Sequence, residues 1–294
     1  MSLSKLSGDE AGIVFTQLCN TFEPRDAVAF SSVNRELRAS TQAPLQQLKA
    51  DHEAATAHLC LKLGMRSCKE LREAKEVQRR DKGLTVADLE LLGTLGSVLP
   101  ALESLYLWGK SGAAGPDGVQ RLAAGLGAGA LPAVTKLDLG GVHVGDAGAL
   151  ALAAALGRGA LPRLKILHLI SAAIGDAALV ALAPALRRLP ALEHLILFRN
   201  PFGDEGLAAI VALPAGALPP TTGGLAKLER LDLSFTQVTD AGCAALAAAL
   251  DSGALPALKG FMLDLIPASR AAKAAVHAAL AKRREAARDG SAVG

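Results

Sequence analysis

A repeat of about 30 residues constrains the fold of this chain more than any other feature. Segments resembling LPALESLYL recur with their first leucines 28 to 36 residues apart, at Leu99, Leu131, Leu161, Leu189, Leu225 and Leu255. A period of this length is typical of arrays in which each unit packs on its neighbours. We therefore expect an elongated architecture for the repeated part of the 294 residues, since one compact core of that size is unusual.

Leucines alternate with other residues in each repeat, which predicts a short strand with one buried face. The leucines expected to point inward are Leu105 and Leu107, Leu137 and Leu139, Leu167 and Leu169, Leu195 and Leu197, and Leu231 and Leu233. An alanine-rich stretch follows each strand and predicts a helix. The predicted N-caps of these helices are Asp117, Asp146, Asp176, Asp204 and Asp240.

A single strand–helix unit cannot bury both of its leucine faces, so the units must stack. We therefore predict an α/β solenoid, with parallel strands on the concave side and helices on the convex side. Residues 99–265 should supply six strands. The period, the LxxLxL pattern and the following Gly-Asp resemble the ribonuclease-inhibitor type of leucine-rich repeat over residues 84–269. Proteins of that type usually place Asn soon after LxL to bond adjacent turns, and only Asn200 does so here.

The amino-terminal residues 6–40 do not follow the repeat. Two or three short helices are expected there, separate from the sheet, with Phe15, Phe30 and Val33 buried together. The segment resembles an F-box, the module that docks substrate receptors onto a Skp-type adaptor of a cullin ubiquitin ligase. The resemblance implies adaptor binding by Ile13, Phe15, Leu18, Pro24, Arg25 and Val33.

Two further segments flank the array. Residues 83–100 predict a capping helix that begins with a Thr85/Asp88 capping box. Residues 58–64 predict a short strand, and the interleaved charges of 65–82 predict a solvated helix. The resulting organisation is an F-box-like segment at 1–45, a linker and capping repeat at 46–98, leucine-rich repeats at 99–269, and a capping helix with a tail at 270–294.

Side chains that flank the buried leucines should project from the concave face. The single Trp and the single Tyr of the chain are both among them, and aromatic groups on a rigid face are typical of interfaces. Alternatively, Trp108 and its neighbours cover the edge of the sheet against residues 41–82. The predicted partner-binding residues are Tyr106, Trp108, Asp138, Ile166, His168, Ile170, His194, Ile196, Phe198, Arg230, Asp232 and Met262.

Motifs for catalysis or cofactor binding are missing from the sequence, which has no GxxxxGK[ST], HExxH or GxSxG. Asp138, His168 and His194 form the one constellation that resembles a metal or acid–base site, and surface polarity is the simpler interpretation. The cysteines have no CxxC spacing and indicate reduced thiols. We therefore expect no catalytic residues, no cofactor and no metal.

Charge and hydropathy limit the remaining function classes. The net charge is +3, from 31 basic and 28 acidic residues, and the repeats carry no basic stripe, which argues against nucleic-acid binding. No uncharged stretch near 20 residues predicts a membrane span. The start of the chain lacks a secretory signal pattern, so we expect cytoplasm or nucleus.

These observations favour a non-enzymatic protein that binds another protein through its concave face. The F-box-like segment extends this hypothesis to the substrate receptor of a cullin-type ubiquitin ligase. The alternative is a stand-alone inhibitor or GTPase-regulator module without a ligase role, as the resemblance to ribonuclease-inhibitor-type repeats also implies.

Overall fold

The computed structural model describes residues 25–32, 35–78, 83–109, 114–211 and 225–291. Over these ranges, ten α-helices, one short 3-10 helix at Gly96–Val98 and seven strands follow one another along the chain. Their order is α1 Arg25–Ser31, α2 Arg35–Lys62, α3 Cys68–Glu73, β1 Glu76–Gln78, α4 Val86–Leu95, β2 Ser104–Tyr106, α5 Gly115–Gly125, β3 Lys136–Asp138, α6 Gly145–Gly157, β4 Ile166–His168, α7 Asp176–Leu186, β5 His194–Ile196, α8 Asp204–Val211, β6 Arg230–Asp232, α9 Asp240–Asp251, β7 Gly260–Met262 and α10 Arg270–Ser291.

All seven strands of the described chain form one parallel sheet in sequence order, β1 to β7. The six strands predicted between residues 99 and 265 are confirmed, and their central residues pair in register, as Leu105 with Leu137 and Leu167 with Leu195. The leucines predicted to point inward are buried, none more than 4 % exposed. Burying such side chains contributes about 1.5–3 kcal/mol each, so the leucine row is the main source of cohesion between strand and helix layers.

The first strand was not predicted. β1 lies in the charged segment 65–82 for which the sequence predicts a helix, and in its described part, residues 65–78, only Cys68–Glu73 is α-helical. Val77, fully buried at the centre of β1, pairs with Leu105 and extends the leucine row by one strand. The strand predicted at 58–64 is also wrong, because this segment includes the end of α2. Leu59, Cys60 and Leu63 are buried there at a spacing that fits one helix face.

Three of the five predicted aspartate caps, Asp176, Asp204 and Asp240, bond the start of a different helix from the one expected. The other two, Asp117 and Asp146, lie inside helices whose N-caps are Ala114 and Val144. The Asp176 Oδ1 atom accepts hydrogen bonds from the backbone N–H groups of Gly203 and Gly206, at 2.8 and 2.7 Å. Asp204 Oδ1 accepts in the same way from Gly242, at 2.9 Å. Each of these carboxylates therefore lies in the first turn of its own helix and caps the helix of the following repeat. This capping therefore acts between repeats of the same chain, because it links consecutive units and fixes their spacing.

Glycine at the third position of the helix makes this cap possible. A Cβ atom on Gly242 would lie 2.3 Å from Asp204 Oδ1, and one on Gly206 would lie 2.8 Å from Asp176 Oδ1. Contacts this short do not occur, so a side chain there would push the carboxylate away from the N–H groups that it caps. The recurrent Asp-x-Gly is therefore a packing requirement between neighbouring helices.

The end of the long amino-terminal helix α2 packs on the repeats. Phe30 of α1 is buried, and Phe15 and Val33, which are predicted to be buried with it, lie outside the described residues. Helix α2 is 28 residues long with Pro44 inside it. The carboxyl-terminal end of α2 enters the common core, and Lys62 Nζ lies 2.6 Å from Asp88 Oδ2 of α4. The boundary that the sequence analysis sets at residue 45 falls within α2.

Both helices that flank the repeats follow the sequence analysis. Thr85 and Asp88 form the predicted capping box at the start of α4. Burial acts to raise the pKa of Asp88, but hydrogen bonds from Lys62 and Thr85 outweigh it and lower this pKa. At the other end, Val276 and Leu280 of α10 are buried against the last repeat. The solenoid is therefore continued by helices at both ends.

Candidate functional site

The predicted partner-binding residues lie in rows across the sheet, on the face opposite the helices, which we call the open face. The strand register places Tyr106, Asp138, His168, Ile196, Asp232 and Met262 in one row. A second row contains Ser104, Lys136, Ile166, His194, Arg230 and Gly260. Residues from separate repeats therefore lie side by side on one continuous surface.

The residues of these rows differ in what they offer a partner. Arg230 and Met262 are exposed, and most of the others are half-buried. Asp138 and Asp232 are buried, because each carboxylate accepts a hydrogen bond from the backbone N–H two residues later, at 2.9 Å. This local bond holds both side chains against the strand ends. They therefore present little surface to a partner.

Asp138 and His168 are paired, as their positions on adjacent strands suggest. The distance from His168 Nδ1 to Asp138 Oδ2 is 3.1 Å. Burial alone would raise the pKa of Asp138, but the hydrogen bonds from His168 and from the Gly140 N–H lower it below its ordinary value. The pKa of His194 is lowered by burial first and by the charge of Arg230 second. Over the described residues, no group of three or more His, Cys, Asp or Glu side chains could hold a metal ion.

Large apolar side chains line the carboxyl-terminal ends of the strands. Trp108 and Ile170 lie on either side of Gly140, since a Cβ atom placed on that glycine would be 3.6 Å from each of them. Further along, the rings of Phe198 and Phe235 are tilted against each other with centroids 4.9 Å apart. The three large residues predicted from the sequence, Trp108, Ile170 and Phe198, thus lie at this end of the strands, and Phe198 contacts a fourth large residue, Phe235, that was not predicted.

Three residues after each of the strands β3 to β7, the turn holds a residue in the left-handed region. In the first four of these turns its N–H donates to a carbonyl of the next repeat, as from Phe235 to Asp264 at 2.9 Å. Left-handed backbone costs a residue with a side chain about 1–2 kcal/mol, and only one of these positions is glycine. They are Gly141, Ser171, Arg199, Phe235 and Leu265, with φ values of 70°, 50°, 57°, 58° and 52°.

Two of these turn residues are large, apolar and exposed. The exposed fraction is 42 % for Phe235 and 70 % for Leu265. Together with Trp108, Ile170 and Phe198 they form what we call the apolar ridge. The sequence analysis missed both residues because it considered side chains only as far as the position after LxL. A pattern in the sequence could have indicated them, because a large apolar residue stands two positions after Leu233 and again two positions after Leu263, in the last two repeats.

Asn200 fixes the turn beside the middle of the ridge. Its Oδ1 accepts from the N–H groups of Ala172 and Ile174, both at 3.0 Å. Its Nδ2 donates to the carbonyls of Leu169 and Leu197, at 2.6 and 2.8 Å. The side chain therefore bonds the backbone of its own repeat and that of the preceding one, as the resemblance implies for this position.

Comparison with known families supports the repeat assignment. A family model described as Leucine Rich repeat matches residues 131–153, 189–211 and 224–247. A search of curated proteins gives no match. The matched segments include β3, β5 and β6 with all or part of the helices that follow. The family model and the all-parallel sheet therefore indicate the same repeating unit, a strand followed by a helix. In the part of the chain that the structure describes, none of the helices has the length and apolarity needed to cross a membrane.

Proposed function

We propose that this array of leucine-rich repeats binds a protein partner through the open, concave face, with the apolar ridge as its anchor. One observation carries the proposal: Phe235 and Leu265 hold large apolar side chains in exposed, left-handed turn positions. The fold gains little from either side chain, because Ser171 and Arg199 occupy the same turn in other repeats. Exposed apolar groups on a rigid surface are typical of binding sites.

The charges beside the ridge narrow the chemistry of the partner. Arg199 is exposed beside Phe198 in the same repeat. Arg230 is exposed on β6, where it pairs in register with His194 of the neighbouring strand β5. We therefore expect the partner to present apolar side chains flanked by acidic residues. Such charge complementarity acts mainly on the association rate and makes it sensitive to salt.

The test replaces the two exposed anchors together. We expect Phe235→Ser with Leu265→Ser to weaken partner binding at least tenfold while lowering stability by no more than about 1 kcal/mol, since exposed substitutions usually alter stability by less than about 0.5 kcal/mol each. The matched control is Leu150→Ser with Val180→Ser, which removes two exposed apolar residues from helices α6 and α7. Proteins recovered with wild type and control but not with the ridge variant identify the partner. Equal recovery by all three proteins would exclude the ridge as the anchor.

Trp108, Ile170 and Phe198 are less suitable for this test. All three are half-buried, and Trp108 and Ile170 also lie against Gly140. Replacing them with serine should lower both binding and stability. The exposed pair therefore separates the two effects.

We propose further that the binding module serves as the substrate receptor of a cullin-type ubiquitin ligase. The support is the F-box-like sequence ahead of the repeats. Of its adaptor-binding residues, Arg25 begins α1, and the others lie outside the described residues, namely Ile13, Phe15, Leu18, Pro24 and Val33.

Copurification of the full chain with a Skp-type adaptor tests this extension. We expect the adaptor to bind the wild type and to be lost from Ile13→Asp with Leu18→Asp, while the partner of the ridge is retained. If the adaptor does not bind the wild type, the ligase role fails. The interaction module then stands alone, as an inhibitor or GTPase regulator would.

A further inference from the structure

Two cysteines without CxxC spacing lie next to each other at the amino-terminal end of the solenoid. Cys60 lies near the end of α2 and Cys68 begins α3, and their Sγ atoms are 3.8 Å apart. Both are free thiols. The sequence spacing gave no sign of this pair, because the turn between the helices, and not a CxxC motif, brings the sulfur atoms together.

The two thiols have different environments. Cys60 is buried in the common core with Leu59 and Leu63, whereas Cys68 is exposed. Burial, followed by the nearby Cys68 sulfur, raises the pKa of Cys60 to about 12. At neutral pH, Cys60 is therefore a protonated thiol that small oxidants reach poorly, and Cys68 is the sulfur that meets them first.

We propose that Cys60 and Cys68 are a reversible disulfide site, oxidised by low-molecular-weight disulfides such as oxidised glutathione. Cys68 thiolate attacks one glutathione sulfur, the glutathione S–S bond breaks, and one glutathione thiolate leaves. The Cys60 thiol then loses its proton and attacks Cys68 Sγ, and the second glutathione leaves and takes up a proton. Two protein thiols are oxidised to one disulfide while one glutathione disulfide is reduced to two thiols.

The location gives this bond a structural effect. It would join α2 to α3, immediately before β1, which is the first strand of the sheet. The disulfide would then add a second covalent link, beside the main chain, between α2 and the start of the repeats. The competing explanation is that the sulfur atoms are neighbours only because the core is small and sulfur packs well there.

Peptide mass spectrometry distinguishes the two explanations. The full chain is equilibrated with mixtures of reduced and oxidised glutathione, quenched with acid, alkylated and digested with trypsin. Cleavage after lysine and arginine places Cys60 in residues 50–62 and Cys68 in residues 67–69, so the disulfide appears as one cross-linked pair of peptides. The same equilibration in concentrated guanidinium gives the value for an unfolded chain of equal spacing.

We expect the cross-linked peptides to form at least tenfold more readily in the folded protein than in guanidinium, because the fold holds the sulfur atoms together. In Cys60→Ala, Cys68 should stop at the mixed disulfide with glutathione. Cys243→Ser, which removes a buried thiol of α9, should leave the cross-link unchanged. Accumulation of glutathione on Cys68 of the folded wild type, with Cys60 unlinked, would overturn the proposal. Equal cross-linking in the folded and unfolded chains would do the same.

Discussion

Replacing Asn200 with alanine should destabilise the repeats more than any surface change. The side chain is only 2 % exposed, and alanine would remove its bonds to Ala172, Ile174, Leu169 and Leu197 together. A buried N–H left without an acceptor costs about 1–3 kcal/mol. The two N–H groups alone therefore predict a loss of about 4 kcal/mol, a large fraction of the 5–15 kcal/mol that is typical of folded proteins.

Urea denaturation followed by circular dichroism measures this loss, and hydrogen exchange locates it. The N–H groups of Ala172 and Ile174 should become the fastest to exchange among the buried turn amides. Asn200→Asp is a sharper variant, since a carboxylate still accepts from both N–H groups but cannot donate to the two carbonyls. Thr236→Val, which removes one bond from Thr236 Oγ1 to the Leu233 carbonyl, is the control and should cost about 1 kcal/mol. A loss below that of the control for Asn200→Ala would refute the reasoning.

Three further changes test the packing and electrostatics. Gly242→Ala should lower stability by about 1–3 kcal/mol in a thermal melt because of the clash with Asp204, whereas Gly157→Ala, with open space around it, should not. Arg230→Gln should raise the pKa of His194 in an NMR titration, since Arg230 now lowers it together with burial, and an unchanged value would contradict this. Burial would raise the pKa of Asp204, but hydrogen bonds lower it below 3.8; its stabilisation is therefore present above that pH and lost as pH falls through the folded value, so Asp204→Ala should flatten the acid side of the stability curve.

The repeat core could be predicted from the sequence because its leucines carry both the strand period and the unit length. Leu167 and Leu195 are inward-facing in any register that keeps neighbouring repeats in phase. β1 could not be found in this way. Val77 is a single apolar residue among charges, and its three-residue strand forms because an edge of the sheet is there to pair with it. Local pattern favours a helix, and tertiary pairing overrides it.

Some features of the candidate site could likewise be predicted from the sequence, and others could not. Positions on the open face follow from strand alternation, so Tyr106 and Arg230 could be assigned to it without coordinates. The burial of Asp138 could not, since it depends on a local bond to the N–H of Gly140. The pairing of Cys60 with Cys68 likewise depends on the turn between two helices, for which the sequence offers no repeat to compare.

Each helix of the array packs chiefly on the helix before it and the helix after it. Nearly all stabilising contacts therefore join residues within about one repeat length along the chain, so folding can begin in any repeat and spread to its neighbours. A substitution that destabilises one repeat should therefore also destabilise the adjacent repeats, and its effect should decrease with distance along the array. Opening should start at the ends and move inward, so the amides of β4 and β5 should exchange last. The middle of the binding face would then stay ordered while the terminal repeats fluctuate.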